Sequence, residues 1–283
     1  MNDCTDFNLT LSPFFKAINI LKLVNSKFKR YFIQLSYNGT AYSGWQVQKN
    51  SKSTVQQTLN EMLSRLLNES INIMGCGRTD TGVHAKKYFA HFDTTKEDLI
   101  ENHDHWILKF NHALPKDIAI QKIFKVQENA SARYDAYRRT YQYVITKKKD
   151  PFEIDKAYFL YGKLDVKAMN KASQLLFEYD DFSAFSKSNT QNKTNICKLY
   201  KAEWTEDENS IVFTISANRF LRDMVRAIVG TILKVGKGKI TFEEFRKVIE
   251  SKTRSEAGLS VPACGLFLVN VEYKKGLLDA VEE

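Results

Sequence analysis

The sequence predicts an α+β fold in which helices and strands build one continuous, mostly antiparallel sheet. Strand-like and helix-like periodicities follow each other without the strict alternation of parallel βαβ proteins. No linker rich in proline and glycine divides the 283 residues, although the chain is long enough for two units that each have a core. We therefore expect an accessory segment over residues 1–28, an N-terminal unit over 29–128 and a C-terminal unit over 129–283.

The N-terminal unit begins with an alternating pattern that predicts a strand from Tyr31 to Tyr37. A capping-box candidate, Ser53 with Gln56, then opens a helix. Its apolar residues recur at helical spacing, and they are Val55, Leu59, Leu63, Leu66 and Leu67. The remaining elements are strands over 71–76 and 87–93, a helix near 97–111 and a strand over 117–126.

The C-terminal unit is predicted to contain four strands and three helices. A helix follows Asp165, with Met169, Ala172, Leu175 and Leu176 on one side. A second capping box, Thr241 with Glu244, starts the last helix. The other elements are strands over 139–146, 195–204, 210–217 and 265–273 and a helix over 219–235. The lysines at 147–149 are interpreted as a solvated turn, and the alternative is a phosphate contact.

The charge balance favours a polyanionic partner. Forty-two Lys and Arg against thirty-three Asp and Glu give a net charge of +9 and a pI near 9.2. Neutralised phosphates supply much of the affinity of nucleic-acid-binding proteins. Basic and aromatic residues also interleave over 133–141, and such side chains stack on unpaired bases. For each residue taken singly, burial of the aromatic ring in a strand explains the pattern equally well.

Cysteine usage indicates a reducing cytoplasm and no structural zinc. The four cysteines form no CxxC pair and no disulfide-like spacing, and no zinc-finger spacing of Cys and His occurs. No run of about 18 apolar residues predicts a membrane span, and residues 1–28, with Asp3 and Asp6, make a poor secretion signal. Residues 1–28 are interpreted either as an accessory segment or as an upstream start that the cell does not use.

A glycine-rich loop over 75–85 is the strongest candidate for a functional site. Asp80 lies between Gly77 and Gly82, and predicted strands flank the loop. A P-loop would need Lys-Ser/Thr after its last glycine, and a dinucleotide fingerprint would need a third glycine where Asp80 stands. Both are excluded. From the pattern alone, Asp80 is either catalytic or simply hydrogen-bonded to its own turn.

The loop also resembles the central motif of the TruA family, the bacterial pseudouridine synthases that modify the tRNA anticodon stem-loop. Four further blocks resemble that family in the same order and extend the similarity over roughly residues 29–273. The blocks are Gly39 with Tyr42-Ser43-Gly44-Trp45-Gln46-Val47-Gln48, then Gly77-Arg78-Thr79-Asp80-Thr81-Gly82-Val83-His84-Ala85, then Ala132-Arg133-Tyr134-Asp135-Ala136 with Arg139-Thr140-Tyr141-Gln142-Tyr143, then Phe220-Leu221-Arg222-Asp223-Met224-Val225-Arg226 with Ile228-Val229-Gly230, and Pro262-Ala263-Cys264-Gly265-Leu266.

The resemblance implies two ferredoxin-like or RRM-like halves with the active site in the cleft between them. It also implies isomerisation of uridine to pseudouridine at tRNA positions 38, 39 and 40, without a metal or organic cofactor. A homodimer, in which one tRNA spans both subunits, is a further expectation, and the protein is expected in the cytoplasm and away from membranes. Thr81 and Gln142 depart from the family pattern, which bears on RNA affinity more than on the reaction.

The resemblance makes Asp80 the nucleophile, either by direct attack on ribose C1′ or after elimination to a glycal. Arg226 is the cation expected to keep Asp80 ionised, and Tyr141 is expected to stack on the target uracil and to take part in proton transfer. If residues 219–235 are helical, Arg219, Arg222 and Arg226 lie within about 60° of one another. The alternative for Arg226 is a structural ion pair with Asp223 or another acid.

Four arginines are expected to contact RNA. Arg78 would hold the target nucleotide out of the helix, while Arg133, Arg219 and Arg222 would contact the pocket or phosphates. Three further residues are expected to support the loop: His84 by hydrogen bonds to backbone, and Trp45 and Gln46 as braces. The competing functions are a non-catalytic RNA-binding protein, a hydrolase that uses Asp80 to release free uracil, and a synthase with another RNA target.

Overall fold

The computed structural model describes residues 28–48, 53–187 and 194–278. The accessory segment predicted over 1–28 lies outside these residues except for Phe28. Nine strands and five α-helices are present in the described ranges. The strands are β1 (Lys29–Tyr37), β2 (Met74–Gly75), β3 (His84–Thr94), β4 (Ile118–Val126), β5 (Ala136–Thr146), β6 (Tyr158–Phe159), β7 (Leu199–Glu206), β8 (Ser210–Ala217) and β9 (Leu266–Tyr273). The helices are α1 (Val55–Leu67), α2 (His103–Ala113), α3 (Val166–Leu175), α4 (Met224–Gly236) and α5 (Phe242–Glu250).

All nine strands belong to one sheet with the order β4-β1-β3-β9-β5-β8-β7, in which β2 pairs with β3 and β6 with β5. Only the β3–β9 and β5–β6 pairs are parallel. The prediction of an α+β fold with one continuous, mostly antiparallel sheet is therefore confirmed.

The β3–β9 pair joins the strands of the two predicted units. Only two residue pairs align there, His84 with Phe267 and Ala85 with Leu268. The glycine-rich loop ends immediately before His84, so the loop lies where strands from both parts of the chain meet.

Two clusters of buried hydrophobic side chains lie on either side of this junction. The first combines β1, β3 and β4 with α1 and α2, and it includes Trp45, Tyr88 and Phe110. The second combines β5, β7 and β8 with α3, α4 and α5, and eight of the ten buried residues of α4 belong to it. Each helix contributes apolar side chains to one of these clusters, because burial there removes its apolar face from water.

Most element boundaries agree with the sequence predictions, and three differences have local causes. Helix α1 starts at the N-cap Thr54, whose side chain accepts from the Gln57 N–H, so the predicted Ser53–Gln56 capping box is wrong. The strand predicted over 71–76 covers only Met74–Gly75 in the structure. The Ile71 and Ile73 N–H groups donate hydrogen bonds to side chains of α1 and not to a neighbouring strand. Helix α2 begins at His103, later than predicted, after a turn.

The difference that matters most for the candidate site concerns α4, which begins at Met224 and not at residue 219. Asp223 has φ +67°, a left-handed conformation that a right-handed helix cannot contain but that aspartate tolerates better than most residues. Arg219 and Arg222 therefore precede the helix. The prediction that they share a helical face with Arg226 is wrong.

Candidate active site

The loop that carries Asp80 is held by the backbone of the first sequence block. The Thr79 carbonyl accepts a hydrogen bond from Trp45 N–H at 3.2 Å, and Gly82 N–H donates to the Tyr42 carbonyl at 3.4 Å. Gly44 has φ +89°, and a Cβ there would lie 2.4 Å from the Thr79 carbonyl oxygen. Only glycine allows this close approach.

Aromatic side chains beneath the loop add a second support. Tyr37 Oη and Thr79 Oγ1 lie 2.8 Å apart in the buried interior. Trp45 is buried and stacks on Tyr88 with 4.1 Å between ring centroids. Trp45 therefore braces the loop by packing, as expected. Gln46 supports the loop only indirectly, because its Nε2 donates a hydrogen bond to Gln56 Oε1 of α1 at 2.9 Å.

His84 closes the loop in the way the sequence predicts. Its Nδ1 accepts from Gly39 N–H at 3.1 Å, and its Nε2 lies 3.1 Å from the Cys264 carbonyl oxygen. These partners require a neutral ring with the proton on Nε2. Burial lowers the pKa of His84, which favours the same state.

Two arginines from the C-terminal unit face Asp80. Arg222 Nε lies 3.6 Å from Asp80 Oδ1, and Arg226 Nη1 lies 3.9 Å from Asp80 Oδ2. The Asp80 side chain is 28% exposed, enough to leave a carboxylate edge accessible to a ligand. Arg222 therefore pairs with Asp80, whereas its position near a helix start had suggested a phosphate contact.

Burial raises the pKa of Asp80, and the nearby Asp223 carboxylate raises it further. Arg226, Arg222 and Lys187 act in the opposite direction. Lys187 belongs to this group because its backbone N–H donates to the Arg222 carbonyl at 3.0 Å. The site thus holds a partly desolvated carboxylate among three cations and one further acid.

Asp223 is itself enclosed by polar contacts. Arg226 Nη1 lies 3.2 Å from Asp223 Oδ1, and Arg254 Nη2 lies 3.6 Å from Asp223 Oδ2. Ser260 Oγ donates a hydrogen bond to the same carboxylate. The ion pair between Arg226 and Asp223, considered as an alternative for Arg226, therefore coexists with the pair to Asp80.

Tyr141 lies on β5, opposite Leu268 of β9 and Ile215 of β8. Its ring meets Phe220 edge-on with 5.1 Å between centroids. Burial raises the pKa of the Tyr141 phenol, and the negative charge of Asp80 contributes to the rise. Tyr141 is thus a neutral phenol near Asp80, whereas Tyr143 is fully buried and donates to the Pro262 carbonyl at 2.8 Å.

Arg139 ties the start of the loop to the C-terminal unit. Its guanidinium donates to four backbone carbonyls: Cys76 at 2.9 and 3.3 Å, Ala136 and Asn218 at 2.8 Å each, and Arg133 at 2.6 Å. Cys76 directly follows β2 and leads into the loop. The arginine therefore joins the loop, the segment at 133–136 and the end of β8.

None of the three remaining predicted arginines forms an ion pair with Asp80 among the described residues. Arg78 is exposed, and within residues 28–48, 53–187 and 194–278 its side chain forms no hydrogen bond or ion pair. Arg133 is exposed and packs over the Tyr134 ring at 5.4 Å from its centroid. Arg219 is half-buried and lies near Cys197, where its charge opposes the rise of that thiol's pKa.

The sequence reasoning missed Arg139, Arg254, Ser260 and Lys187 as parts of the site. Arg139 lies in one of the blocks that resemble the TruA family, two residues before Tyr141, so the sequence did offer a reason to consider it. The other three lie in segments without a motif, and only the fold brings them to Asp223 or Arg222.

Neither a metal-binding cluster nor a membrane-spanning helix is found among the described residues. In the part of the chain that the structure describes, no group of three or more His, Cys, Asp or Glu residues is placed to hold a metal ion. No helix among the described residues is both long and apolar enough to cross a membrane.

Comparison with known proteins identifies the relatives of this chain. A tRNA pseudouridine synthase family model matches residues 34–135 and 172–274. The tRNA pseudouridine synthase A of Parabacteroides distasonis is 51% identical over 249 residues, which cover 88% of this chain and 98% of that protein. The proteins of the same name from Bacteroides fragilis and Bacteroides thetaiotaomicron are each 50% identical, over 89% of this chain and 99% and 93% of theirs.

Proposed function

This chain belongs to the tRNA pseudouridine synthase family, and from that membership we propose that it isomerises uridine at tRNA positions 38, 39 and 40, with Asp80 as nucleophile. The family reaction makes the protein an isomerase that acts on uridine in tRNA. The observation that carries the finer proposal is the placement of Asp80 between Arg222 and Arg226, on a loop fixed from both sides.

The reaction needs a group that can hold the nucleotide and then release it. The bond from ribose C1′ to base N1 breaks, the base turns, and a bond from C1′ to C5 forms, while C5 loses a proton and N1 gains one. No electron is transferred to or from another molecule. A carboxylate suits this task, as it does in retaining glycosidases. Arg222 and Arg226 favour the ionised form of Asp80 that such a step requires.

Tyr141 is proposed to stack on the target uracil. Its raised pKa makes a phenolate base costly, so the ring and a neutral hydroxyl are what this residue offers the substrate. Phe220 fixes the ring from one edge. Opening the RNA to this pocket costs a few kcal/mol of stacking and pairing. We assign Arg78 to holding the extruded nucleotide, because its side chain is exposed beside Asp80 in the chain.

The surrounding basic residues are proposed to bind the RNA backbone. Arg133 and Arg219 border the site, and the net charge of +9 favours a polyanion. The two proposed halves, 29–128 and 129–283, would form a cleft around the anticodon stem-loop. Two hydrophobic clusters that are each built mostly from one half support this division, as does the supply of Asp80 by one half and of its arginines by the other. A cytoplasmic homodimer is the state that we propose for the enzyme.

The test is release of hydrogen from uridine C5 in an unmodified tRNA transcript labelled with tritium at that position. Wild-type protein is expected to release label from the anticodon stem, whereas Asp80→Asn is expected to bind the transcript without releasing any. Asp93→Asn is the matched control, since Asp93 also pairs with an arginine but stands near the far end of β3. Tight binding without release by wild type would favour a non-catalytic RNA-binding protein or another target, and free uracil would indicate a hydrolase.

A further inference from the structure

Arg226 is shared between two carboxylates, and its orientation is set by groups other than Asp80. Its Nε donates to the Val261 carbonyl at 2.7 Å. Its Nη1 lies 3.2 Å from Asp223 Oδ1 and 3.9 Å from Asp80 Oδ2. The hydrogen bond to Val261 and the closer ion pair with Asp223 thus hold the guanidinium, while Asp80 interacts with its charge from a greater distance.

Asp223 is well placed to anchor the arginine. Only 13% of its side chain is exposed, and its backbone is fixed in the left-handed conformation that ends the approach to α4. Ser260 donates to its carboxylate, and Arg254 lies 3.6 Å away. Arg254 is fixed in turn by the Gly258 carbonyl at 3.1 Å and Ser260 Oγ at 2.8 Å.

We propose that Asp223 is a positioning residue that holds Arg226 back from Asp80, so that the arginine favours the ionised carboxylate without locking both of its oxygens in a bidentate pair. The inference rests on the proposed role of Asp80 as nucleophile. A carboxylate that accepts two short bonds from one guanidinium has both oxygens engaged. A nucleophile needs an oxygen free to approach C1′. Arg254 and Ser260 support the arrangement by keeping Asp223 where Arg226 needs it.

Two substitutions are expected to shift the Asp80 pKa in opposite directions. The groups that face Asp80 are the cations Arg222, Arg226 and Lys187, the acid Asp223 and the neutral phenol of Tyr141. Asp223→Asn removes the nearby negative charge and frees Arg226 to close on Asp80, so the Asp80 pKa falls. Arg254→Gln leaves Asp223 with a single cation and draws Arg226 towards it, so the Asp80 pKa rises.

The first measurement follows the aspartate carboxyl carbons by ¹³C NMR as pH is varied, in full-length protein without RNA, with the Asp80 signal assigned by its loss in Asp80→Asn. The Asp80 midpoint is expected to move down in Asp223→Asn, up in Arg254→Gln and not at all in Asp93→Asn. Asparagine accepts the left-handed conformation as readily as aspartate, so Asp223→Asn is expected to fold.

The second measurement is the pH profile of tritium release from the same transcript. The acidic limb of kcat/KM is expected to move with the NMR midpoint, and kcat of Asp223→Asn to fall on the plateau while KM for tRNA stays unchanged. Unchanged midpoints, or shifts of the same sign in both variants, would overturn the proposal. If Asp223→Asn does not fold, the direction in which the Asp80 midpoint moves in Arg254→Gln tests the proposal by itself. Absence of release by wild type would refute the proposed function, and the NMR result would still judge the role of Asp223.

Discussion

Replacing Arg139 by lysine tests the contact that links the Asp80 loop to the C-terminal half of the sheet. The arginine serves four backbone carbonyls through three nitrogen atoms, and it has no carboxylate partner among the described residues. Lysine keeps the charge and much of the aliphatic stem. It concentrates its three donors on one atom, which cannot reach carbonyls arranged around a planar fork.

The structure gives a magnitude for this substitution. If the ammonium retains two of the four carbonyls, two charge-assisted hydrogen bonds are lost at about 1.5 kcal/mol each, or about 3 kcal/mol in the free energy of unfolding. For a domain of roughly this size, 1 kcal/mol corresponds to about 2–4 °C in Tm, so we expect a decrease of roughly 6–12 °C. Because Cys76 leads directly into the loop, its loosened carbonyl also displaces Asp80 and lowers kcat.

Calorimetry would measure the Tm, and tritium release well below the lower Tm would measure kcat. Arg30→Lys is the matched control, since Arg30 is also half-buried and donates to Asp93 twice at 2.7 Å and to the Ala130 carbonyl at 2.9 Å. It lies at the start of β1, away from the loop, so stability is expected to fall without a change in kcat. Wild-type Tm and kcat in Arg139→Lys would refute the reasoning, as would an equal loss of kcat in Arg30→Lys.

Four other outcomes are expected. Tyr141→Phe is expected to retain more kcat than Tyr141→Leu if stacking is the main role of the ring, and equal losses would assign the role to the hydroxyl. Gly162→Ala is expected to lose about 1–2 kcal/mol of stability for its positive φ of +104°. Gly44→Ala is expected to lose more stability than that, and activity as well, because of the two only Gly44 would place the new methyl against the Thr79 carbonyl. The free energy of unfolding is expected to fall as pH drops from about 6.5 towards about 4, because burial lowers the pKa of His91 and the unfolded chain is therefore protonated there before the native state. In denaturant titrations at several pH values, His91→Gln is expected to flatten that decline. Binding to tRNA is expected to weaken steeply with salt, and a flat dependence would argue against phosphate contacts.

The periodic parts of the fold were predictable from sequence because they depend on local patterns. β8 has the predicted bounds, and the last helix begins at the predicted Thr241–Glu244 capping box, in which both capping bonds are present. The failures occur where side chains replace local structure. Gln56 was interpreted as part of a capping box, but its side chain donates to the Ile73 carbonyl and accepts from Val47 N–H. No local pattern distinguishes a capping glutamine from one that joins two distant segments.

The centre of the site was predictable to the extent that its residues stand in motifs. Asp80, Tyr141 and Arg226 were named from resemblance, and the structure brings Arg226 to Asp80 and places Tyr141 close enough for the charge of Asp80 to affect its pKa. Their assigned roles stay predictions. Arg222 also contacts Asp80, and the cause of that contact was not visible in the sequence. The left-handed Asp223 breaks the expected helix and redirects the preceding arginine, and helical periodicity assumes the opposite.

The distribution of charge across the β3–β9 junction couples the fold to the proposed chemistry. Burial removes water from Asp80 and raises its pKa, and none of the cations that lower it comes from the N-terminal half. The compensating cations come from the C-terminal half, on a segment held by Lys187, Asp223 and Val261. Because only two residue pairs join β3 to β9, small changes at this junction alter the distances between Asp80 and its arginines before they disturb either core. The ionisation of Asp80 is therefore a property of how the two halves meet, and contacts such as those of Arg139, which cross between them, matter to the reaction although they touch no substrate.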